Sequence, residues 1–232
     1  MIKNNQVALI LHIESSSTVC SVALSNNTDL IDCKELDNGY THAENLHVFI
    51  EQLLSENNIS ASQLNAISVS SGPGSYTGLR IGYSAAKGLA YALNIPLIAI
   101  DTLQAMCVSA KNNVNISANF CPIIDARRME VYCAVYDSNL NNIKPTSALI
   151  IDDTSILQFE THTPIYFFGD GMPKAKELLS KLKNVHFLDS IKPSAKAMIK
   201  LAYDKYQTQG FENTAYAEPF YLKEFFFQSS KK

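Results

Sequence analysis

The chain has 232 residues, 47% of them apolar, and a formal net charge of −3 at pH 7. That is enough chain for one or two globular domains with a hydrophobic core. A slightly acidic protein lacks the concentrated positive charge of independent nucleic-acid binding, so contact with nucleic acid is expected only through a complex. No apolar run reaches the roughly 18 residues of a membrane span. Five scattered cysteines without CxxC spacing are typical of reduced thiols in a cytoplasmic protein.

Hydrophobic patterning predicts an α/β unit in the first half. Three closely spaced strands, residues 7–13, 18–24 and 29–36, precede an amphipathic helix. Its apolar positions lie at i, i+3, i+4, i+7 and i+8: Leu46, Phe49, Ile50, Leu53 and Leu54. Thr41 and Glu44 fit a capping box at its start. A strand (65–70), a helix (77–93) and a buried strand (95–100) complete the order β-β-β-α-β-α-β, typical of a mixed sheet flanked by helices.

A similar but shorter order follows. Residues 120–125 and 130–136 form a hairpin pattern, with strands at 149–151 and 164–168 and helices at 174–182 and 193–206 after it. We therefore predict two lobes, residues 1–104 and 105–232, with the polar stretch 105–119 at their boundary. The last helix or tail is expected to pack back on the first lobe.

The run SSGPGSYTGLRIG, residues 70–82, has three glycines within seven residues and closes on a fourth. It departs from the Walker pattern, because Gly78 lies one residue too far from Gly72 and is followed by Leu79-Arg80 instead of a lysine. It departs from the dinucleotide fingerprint, because Thr77 stands where the third glycine belongs. What remains is a Gly-Pro-Gly turn and a helix that Ser75 or Thr77 would cap. Free N–H groups at a helix start can hold an anion, so Gly74 and Ser75 are candidates for anion or nucleotide contact.

Small residues form one ridge of the second helix. They recur at i, i+4, i+8 and i+12: Gly78, Gly82, Ala86 and Ala90. Because glycine costs about 1 kcal/mol relative to alanine inside a helix, the ridge predicts close packing. Two alternatives stay open, packing against the protein's own sheet or against a helix of another chain. The second would make the first two helices a partner surface, with Leu46, Val48 and Ile50 on the first and the ridge on the second.

Acidic side chains at strand ends suggest a second class of function. Glu14 and Ser15 end the first strand, and Asp125 and Asp170 end later ones. Such groups can hold Mg²⁺ and phosphate in an ATPase. Short polar residues at strand ends are also ordinary turn residues.

The remaining polar residues give weaker signals. His42 and His47 are five residues apart and lie about 140° apart around a helix, so they cannot share a metal as an i, i+4 pair does. Arg127 and Arg128 lie together in the predicted hairpin turn. They are a candidate for anion contact, with a solvated turn as the alternative.

Six motifs occur in order over nearly the whole chain: ILHIESSSTVCSVAL, THAENL, SSGPGSYTGLRIGYSAAKGLAYALNIPLIAI, PIIDARRMEVYCAVY, FFGDGM and EPFYLKEF. They resemble the TsaB (YeaZ) family of bacterial tRNA threonylcarbamoyladenosine biosynthesis proteins, and the glycine block is the most specific of them. The resemblance implies the fold of the acetate kinase, actin and Hsp70 superfamily, with two ribonuclease-H-like lobes. One departure is Glu14-Ser15-Ser16, where the family commonly has Asp-Thr-Ser.

The resemblance also implies a role. Family members are non-catalytic paralogues and partners of TsaD. With the ATPase TsaE, the two transfer threonylcarbamoyl from its adenylate to N6 of the adenosine beside the tRNA anticodon. TsaD has a His-x-x-x-His metal pair after the strand that corresponds to residues 96–100, whereas this chain reads DTLQAM there.

We therefore expect an accessory subunit without catalytic residues, a metal site or a cofactor of its own. ATP or ADP is expected only in the complex, TsaD and TsaE are the expected partners, and tRNA is reached only through them. The sequence leaves open whether the chain forms a homodimer when TsaD is absent. The alternatives are a stand-alone ATPase or sugar-kinase-like enzyme that uses Glu14, Asp125 and Asp170, and a zinc peptidase.

Overall fold

Two five-stranded mixed sheets with the same strand arrangement form the framework of the chain. The structure is a computed structural model that describes residues 7–39 and 41–222. The first sheet has the order β3-β2-β1-β4-β5, built from β1 (Leu9–Glu14), β2 (Val19–Asn26), β3 (Asp29–Asp37), β4 (Ala66–Gly72) and β5 (Leu97–Asp101). The second has the order β10-β9-β6-β7-β8, built from β6 (Asn119–Asp125), β7 (Glu130–Tyr136), β8 (Asn142–Ile150), β9 (Ile165–Phe168) and β10 (Val185–Leu188).

Five α-helices flank the two sheets in the described residues. They are α1 (His42–Glu56), α2 (Tyr76–Leu93), α3 (Thr102–Lys111), α4 (Met172–Leu179) and α5 (Ala195–Gln207), and two short 3₁₀ turns are Ala61–Gln63 and Ser155–Phe159. In each sheet an antiparallel meander is followed by two parallel strands. This confirms the predicted α/β fold with two mixed sheets.

The central strand β1 is buried on both faces, as its continuous apolar run predicts. Leu11 and Ile13 belong to the core beneath α1 and α2, and Ile10 belongs to the core beneath α5. His12 alternates with them onto the α5 face, where its ring nitrogens lie 2.7 Å from the Ser68 hydroxyl and 2.8 Å from the Ser25 hydroxyl. Burial lowers the pKa of His12 to about 3, so this imidazole is neutral in the folded protein.

The last helix after each sheet packs on the other lobe. Helix α5, which follows the second sheet, contributes Ala195 and Met198 to the core of the first. Helix α3 follows the first sheet, and its Met106 and Cys107 pack with Phe120 of the second. The proposed lobe boundary at 104/105 falls within α3. Because each lobe supplies a helix to the other's core, we expect the two to unfold as one cooperative unit.

Three elements and one cap differ from the sequence-based expectation. Helix α3 and strand β10 were not predicted, and β8 begins at Asn142 rather than at residue 149. The capping box is wrong, because the Thr41 side chain makes no cap hydrogen bond; the backbone N–H of Glu44 and Asn45 donate to the Thr41 carbonyl instead. The meander, α1, β4, α2 and β5 lie within about two residues of their predicted bounds.

Candidate functional site

The glycine run forms a strand-to-helix turn. β4 ends at Gly72, the Gly72–Pro73 peptide is cis, and α2 begins at Tyr76. Ser75 is the N-cap residue, and its side chain accepts a hydrogen bond from the backbone N–H of Gly78 at 3.2 Å. This confirms the predicted turn and selects Ser75 over Thr77 as the cap.

The loop after β1 fills the concave side of this turn. A Cβ added to Gly74 would lie 2.4 Å from the Ser16 carbonyl oxygen, and one added to Gly78 would lie 2.1 Å from the Ser15 carbonyl oxygen. A Cβ at Gly82 would lie 2.1 Å from the Ser15 hydroxyl, which donates to the Gly78 carbonyl at 2.9 Å. The glycines therefore allow the Ser15–Ser16 segment of the same chain to approach α2 closely.

The other residues of the small ridge are also internal. Ala86 and Ala90 are buried in the core of the first lobe, together with Leu46 and Ile50 of α1. Of the two alternatives, packing on the protein's own sheet or on a helix of another chain, the structure shows the first. Val48 differs from these residues, because 44% of it is exposed.

Glu14 lies beside the turn but is closed off from solvent. One carboxylate oxygen accepts the Ser16 backbone N–H at 2.6 Å, and the other has no hydrogen-bond partner among the described residues. Burial raises the pKa of Glu14, while hydrogen bonds from Ser16 and Ser70 work in the opposite direction. Burial therefore disfavours the ionised form of the Glu14 carboxyl relative to a carboxyl in water.

Two carboxylates of the second lobe, Asp125 and Asp170, lie together beside Lys174. Asp170 accepts the backbone N–H of Asp125 at 2.9 Å, and Lys174 donates to the Asp125 carboxylate at 2.6 Å. Partial burial works to raise the pKa of Asp125, but the Lys174 ammonium group lowers it below its ordinary value. Within residues 7–39 and 41–222, no hydrogen bond or ion pair joins Glu14 to either aspartate. The three carboxylates are thus not brought into one site by direct contact.

Arg127 and Arg128 form the exposed tip of the β6–β7 hairpin. Both have a left-handed backbone, with φ of 68° and 50°. Asp125 accepts the Arg127 N–H at 2.6 Å, and Lys174 donates to the Arg128 carbonyl at 2.9 Å. These hydrogen bonds hold the backbone of the turn, and both arginines are exposed. No hydrogen bond or ion pair among the described residues links them to the other anion candidates Glu14, Ser15, Gly74 and Ser75.

A groove of about 720 Å³ lies between the outer faces of α1 and α2. Its lining includes an outward stripe of small and apolar residues on α2 that the sequence reasoning missed. The groove is lined by Ala43, His47, Tyr76, Thr77, Arg80, Ile81, Ser84, Ala85, Gly88 and Leu89. A Cβ added to Gly88 would meet nothing within 4 Å, so this glycine faces open space. The spacing of Thr77, Ile81, Ser84 and Gly88 was a readable signal for this face.

No group of three or more potential metal ligands occurs in the part of the chain that the structure describes. His47 lines the α1–α2 groove, whereas buried His42 contacts the Ser17 carbonyl oxygen at 2.8 Å. In the same described residues, every helix is too short or too polar to cross a bilayer.

The relatives of the chain decide its family. The family model described as TsaD, tRNA N6-adenosine threonylcarbamoyltransferase, matches residues 39–217. The tRNA threonylcarbamoyladenosine biosynthesis protein TsaB of Bacillus subtilis is 30% identical over 173 residues, which cover 73% of this chain and 74% of that protein. The chain belongs to the TsaB (YeaZ) family. TsaB of Buchnera aphidicola (strain Bp) is 30% identical over 83% of this chain and 87% of its own length, and Escherichia coli TsaB is 35% identical over 58% and 57%.

Solved structures support the TsaB fold. YeaZ from Pseudomonas aeruginosa superposes with a TM-score of 0.81 at 24% identity, over 93% of this chain and 100% of that one. The activator of 2-hydroxyisocaproyl-CoA dehydratase from Clostridium difficile, with bound ADPNP, gives a TM-score of 0.51 at 11% identity, over 90% and 99%. These likenesses confirm the expected α/β fold with two mixed sheets, and they concern the fold alone. Membership of the TsaB family places the protein in tRNA threonylcarbamoyladenosine biosynthesis.

Proposed function

We propose that the protein is a non-catalytic subunit that binds and activates TsaD through the outer faces of α1 and α2. With TsaE, the complex would transfer threonylcarbamoyl from threonylcarbamoyl-AMP to N6 of the adenosine 3′ of the anticodon, in tRNAs that read codons starting with A. The protein would act in the cytoplasm, contact tRNA only within the complex, and meet ATP or ADP only there. The observation that carries this proposal is the open groove between α1 and α2.

The groove fits a helix of a related chain. Because Ser84 and Gly88 in the groove lining are small, a second helix can approach α2 at a short interaxial distance. The TsaD family model matches residues 39–217, a range that includes both helices. A TsaD chain would therefore present a similar pair of helices, and two similar surfaces can pack face to face about a pseudo-twofold axis. By the same reasoning, a second copy of this chain takes the place of TsaD when TsaD is absent.

The glycine turn and Glu14 support the proposal that the chain has no catalytic activity of its own. The backbone of Ser15 and Ser16 packs against Gly74 and Gly78, so these glycines contact the protein's own chain. The Glu14 carboxyl is buried, and this burial raises its pKa. These features favour an accessory role over a stand-alone ATPase.

Ser84→Trp tests the proposed surface. Ser84 is exposed in the groove, so an indole there acts as a wedge between the two chains while leaving the core of the protein unchanged. We expect TsaD binding, measured by titration calorimetry, to weaken at least about 30-fold, the factor that corresponds to about 2 kcal/mol. The rate of tRNA modification at limiting complex concentration should fall with it.

Ser180→Trp is the matched control, because Ser180 is exposed at the end of α4 in the second lobe. It should bind TsaD like the wild type. A Ser84→Trp protein that keeps the wild-type melting temperature and the wild-type affinity for TsaD contradicts the proposal. So does steady ATP hydrolysis by the purified chain alone that Glu14→Ala abolishes.

A further inference from the structure

The last described segment follows α5 and runs along the first lobe, on which α5 also packs. We name residues 211–222 the strap. It begins as a bridge to the edge of the first sheet, where the backbone N–H of Glu212 donates to the Leu97 carbonyl at 2.8 Å. It then runs along α2, whose Lys87 donates to the carbonyls of Ala215 at 3.2 Å and Ala217 at 2.9 Å. Ala217 is buried in the core of the first lobe, so the strap is anchored there.

The far end of the strap lies on the glycine turn. The backbone N–H of Phe220 donates to the Ser71 carbonyl at 2.7 Å. A Cβ added to Gly72 would lie 2.9 Å from the Phe220 carbonyl oxygen, and Gly72 has a φ of +104°. Only glycine tolerates both this backbone angle and this approach. The first glycine of the run therefore makes room for the strap.

The next residue of the strap contacts the groove lining. The Tyr221 ring lies 4.9 Å from the Tyr76 ring, centroid to centroid, at an interplanar angle of 38°. The Arg80 guanidinium carbon lies 4.9 Å from the centroid of the same Tyr76 ring. Tyr76 and Arg80 both line the α1–α2 groove. The buried Tyr221 hydroxyl has no hydrogen-bond partner among residues 7–39 and 41–222, so the ring is the part of this side chain that acts on Tyr76.

From this geometry we propose that the strap is a positioning part of the docking surface. Tyr221 holds Tyr76, and through it Arg80, in the orientation that the partner helix meets at the mouth of the groove. The inference rests on the proposed function, since the partner is TsaD in both. It adds the strap, and with it Gly72 and Tyr221, to the determinants of TsaD affinity. The physical basis is preorganisation, because a surface whose side chains are already ordered loses less entropy on binding.

Substitutions at Tyr221 separate positioning from a merely structural role. Tyr221→Ala removes the ring contact, and we expect TsaD to bind about three- to tenfold more weakly, the range expected for one aromatic pair. Tyr221→Phe keeps the ring and should bind like the wild type. Tyr216→Ala is the matched control in the same strap, because Tyr216 is 82% exposed, and it should leave the affinity unchanged.

Gly72→Ala provides a second, independent perturbation. Its methyl group would meet the Phe220 carbonyl and displace the end of the strap, so it should weaken TsaD binding to a similar extent. Each variant is measured by titration calorimetry at a temperature where its melting curve shows it folded, with Ser84→Trp in the same series. Folded Tyr221→Ala and Gly72→Ala proteins that bind TsaD with wild-type affinity overturn the inference, as does equal weakening by Tyr221→Ala and Tyr216→Ala. If those results appear while Ser84→Trp still blocks binding, the proposed function stands and only the role of the strap is wrong. If Ser84→Trp binds TsaD with wild-type affinity, both the proposed function and the role of the strap are wrong.

Discussion

Replacing Gly78 by alanine should destabilise the protein, whereas the same replacement at Gly88 should stabilise it. Both glycines lie in α2, and alanine is favoured over glycine in a helix by up to about 1 kcal/mol. At Gly88 the added methyl group meets no atom within 4 Å, so the helix gain is kept. For a protein of this size, that gain raises the melting temperature by roughly 2–4 °C.

At Gly78 the same helix gain is opposed by a collision. The methyl carbon would lie 2.1 Å from the Ser15 carbonyl oxygen, well inside an ordinary van der Waals contact. The Ser15 loop cannot move away freely, because the Ser16 carbonyl accepts the Ser75 N–H at 2.6 Å. Overpacking of this kind typically costs about 1–3 kcal/mol. The free energies of unfolding of the two variants should therefore differ by about that amount.

Urea unfolding followed by circular dichroism measures both free energies, and thermal melts provide a check. The comparison cancels most of the intrinsic preference for alanine, so the difference reports the contact with Ser15. If the two variants agree within about 0.5 kcal/mol, or if Gly78→Ala is the more stable, then the Ser15 loop does not pack on α2 as described. The explanation of the glycine run would then be wrong.

Three further outcomes follow from the buried and exposed charges. Glu14→Gln should stabilise the protein at pH 7, because burial raises the pKa of Glu14 and disfavours its charged form. This advantage should disappear as the pH falls toward 4.5, and a variant that is no more stable than the wild type at pH 7 would contradict the raised pKa. Burial lowers the pKa of His12 from 6.5 to about 3, so the stability that the neutral imidazole contributes above pH 6.5 is lost as the pH falls from 6.5 toward 3, by up to about 1.4 kcal/mol per pH unit. The free energy of unfolding, measured at several pH values, should fall less steeply for His12→Gln than for the wild type, and equal slopes would contradict the lowered pKa. Charge reversal of both Arg127 and Arg128 should lower tRNA modification at fixed complex concentration without lowering the melting temperature, whereas unchanged activity would favour a solvated turn.

Regular, strongly apolar elements could be predicted from the sequence. The meander, α1, α2 and the buried strands β4 and β5 have a clear hydrophobic period, and Ser75 has the side chain of an N-cap. The family could also be read from motif order alone. Most of β8 cannot be predicted from apolar periodicity, because it is an edge strand with polar residues such as Lys144 and Thr146. Strand β10 has only four residues, too few to show a clear period. Helix α3 has a helical period in Leu103, Met106, Cys107 and Ala110, but it is short and runs into a polar stretch that is typical of a domain boundary.

The direction in which each face of α2 points was decided by the tertiary structure. A sequence shows that Gly78, Gly82, Ala86 and Ala90 share one side of a helix, but small residues suit an internal sheet and a partner helix equally well. Here the loop after β1 packs directly against that side of α2. Ser84 and Gly88, on another side of the helix, therefore face outward. The position of the strap was also decided by the tertiary structure, since its contact with Gly72 joins segments about 150 residues apart in the sequence. Local periodicity determines which residues lie together on a helix, whereas contacts between distant segments determine what that side of the helix meets.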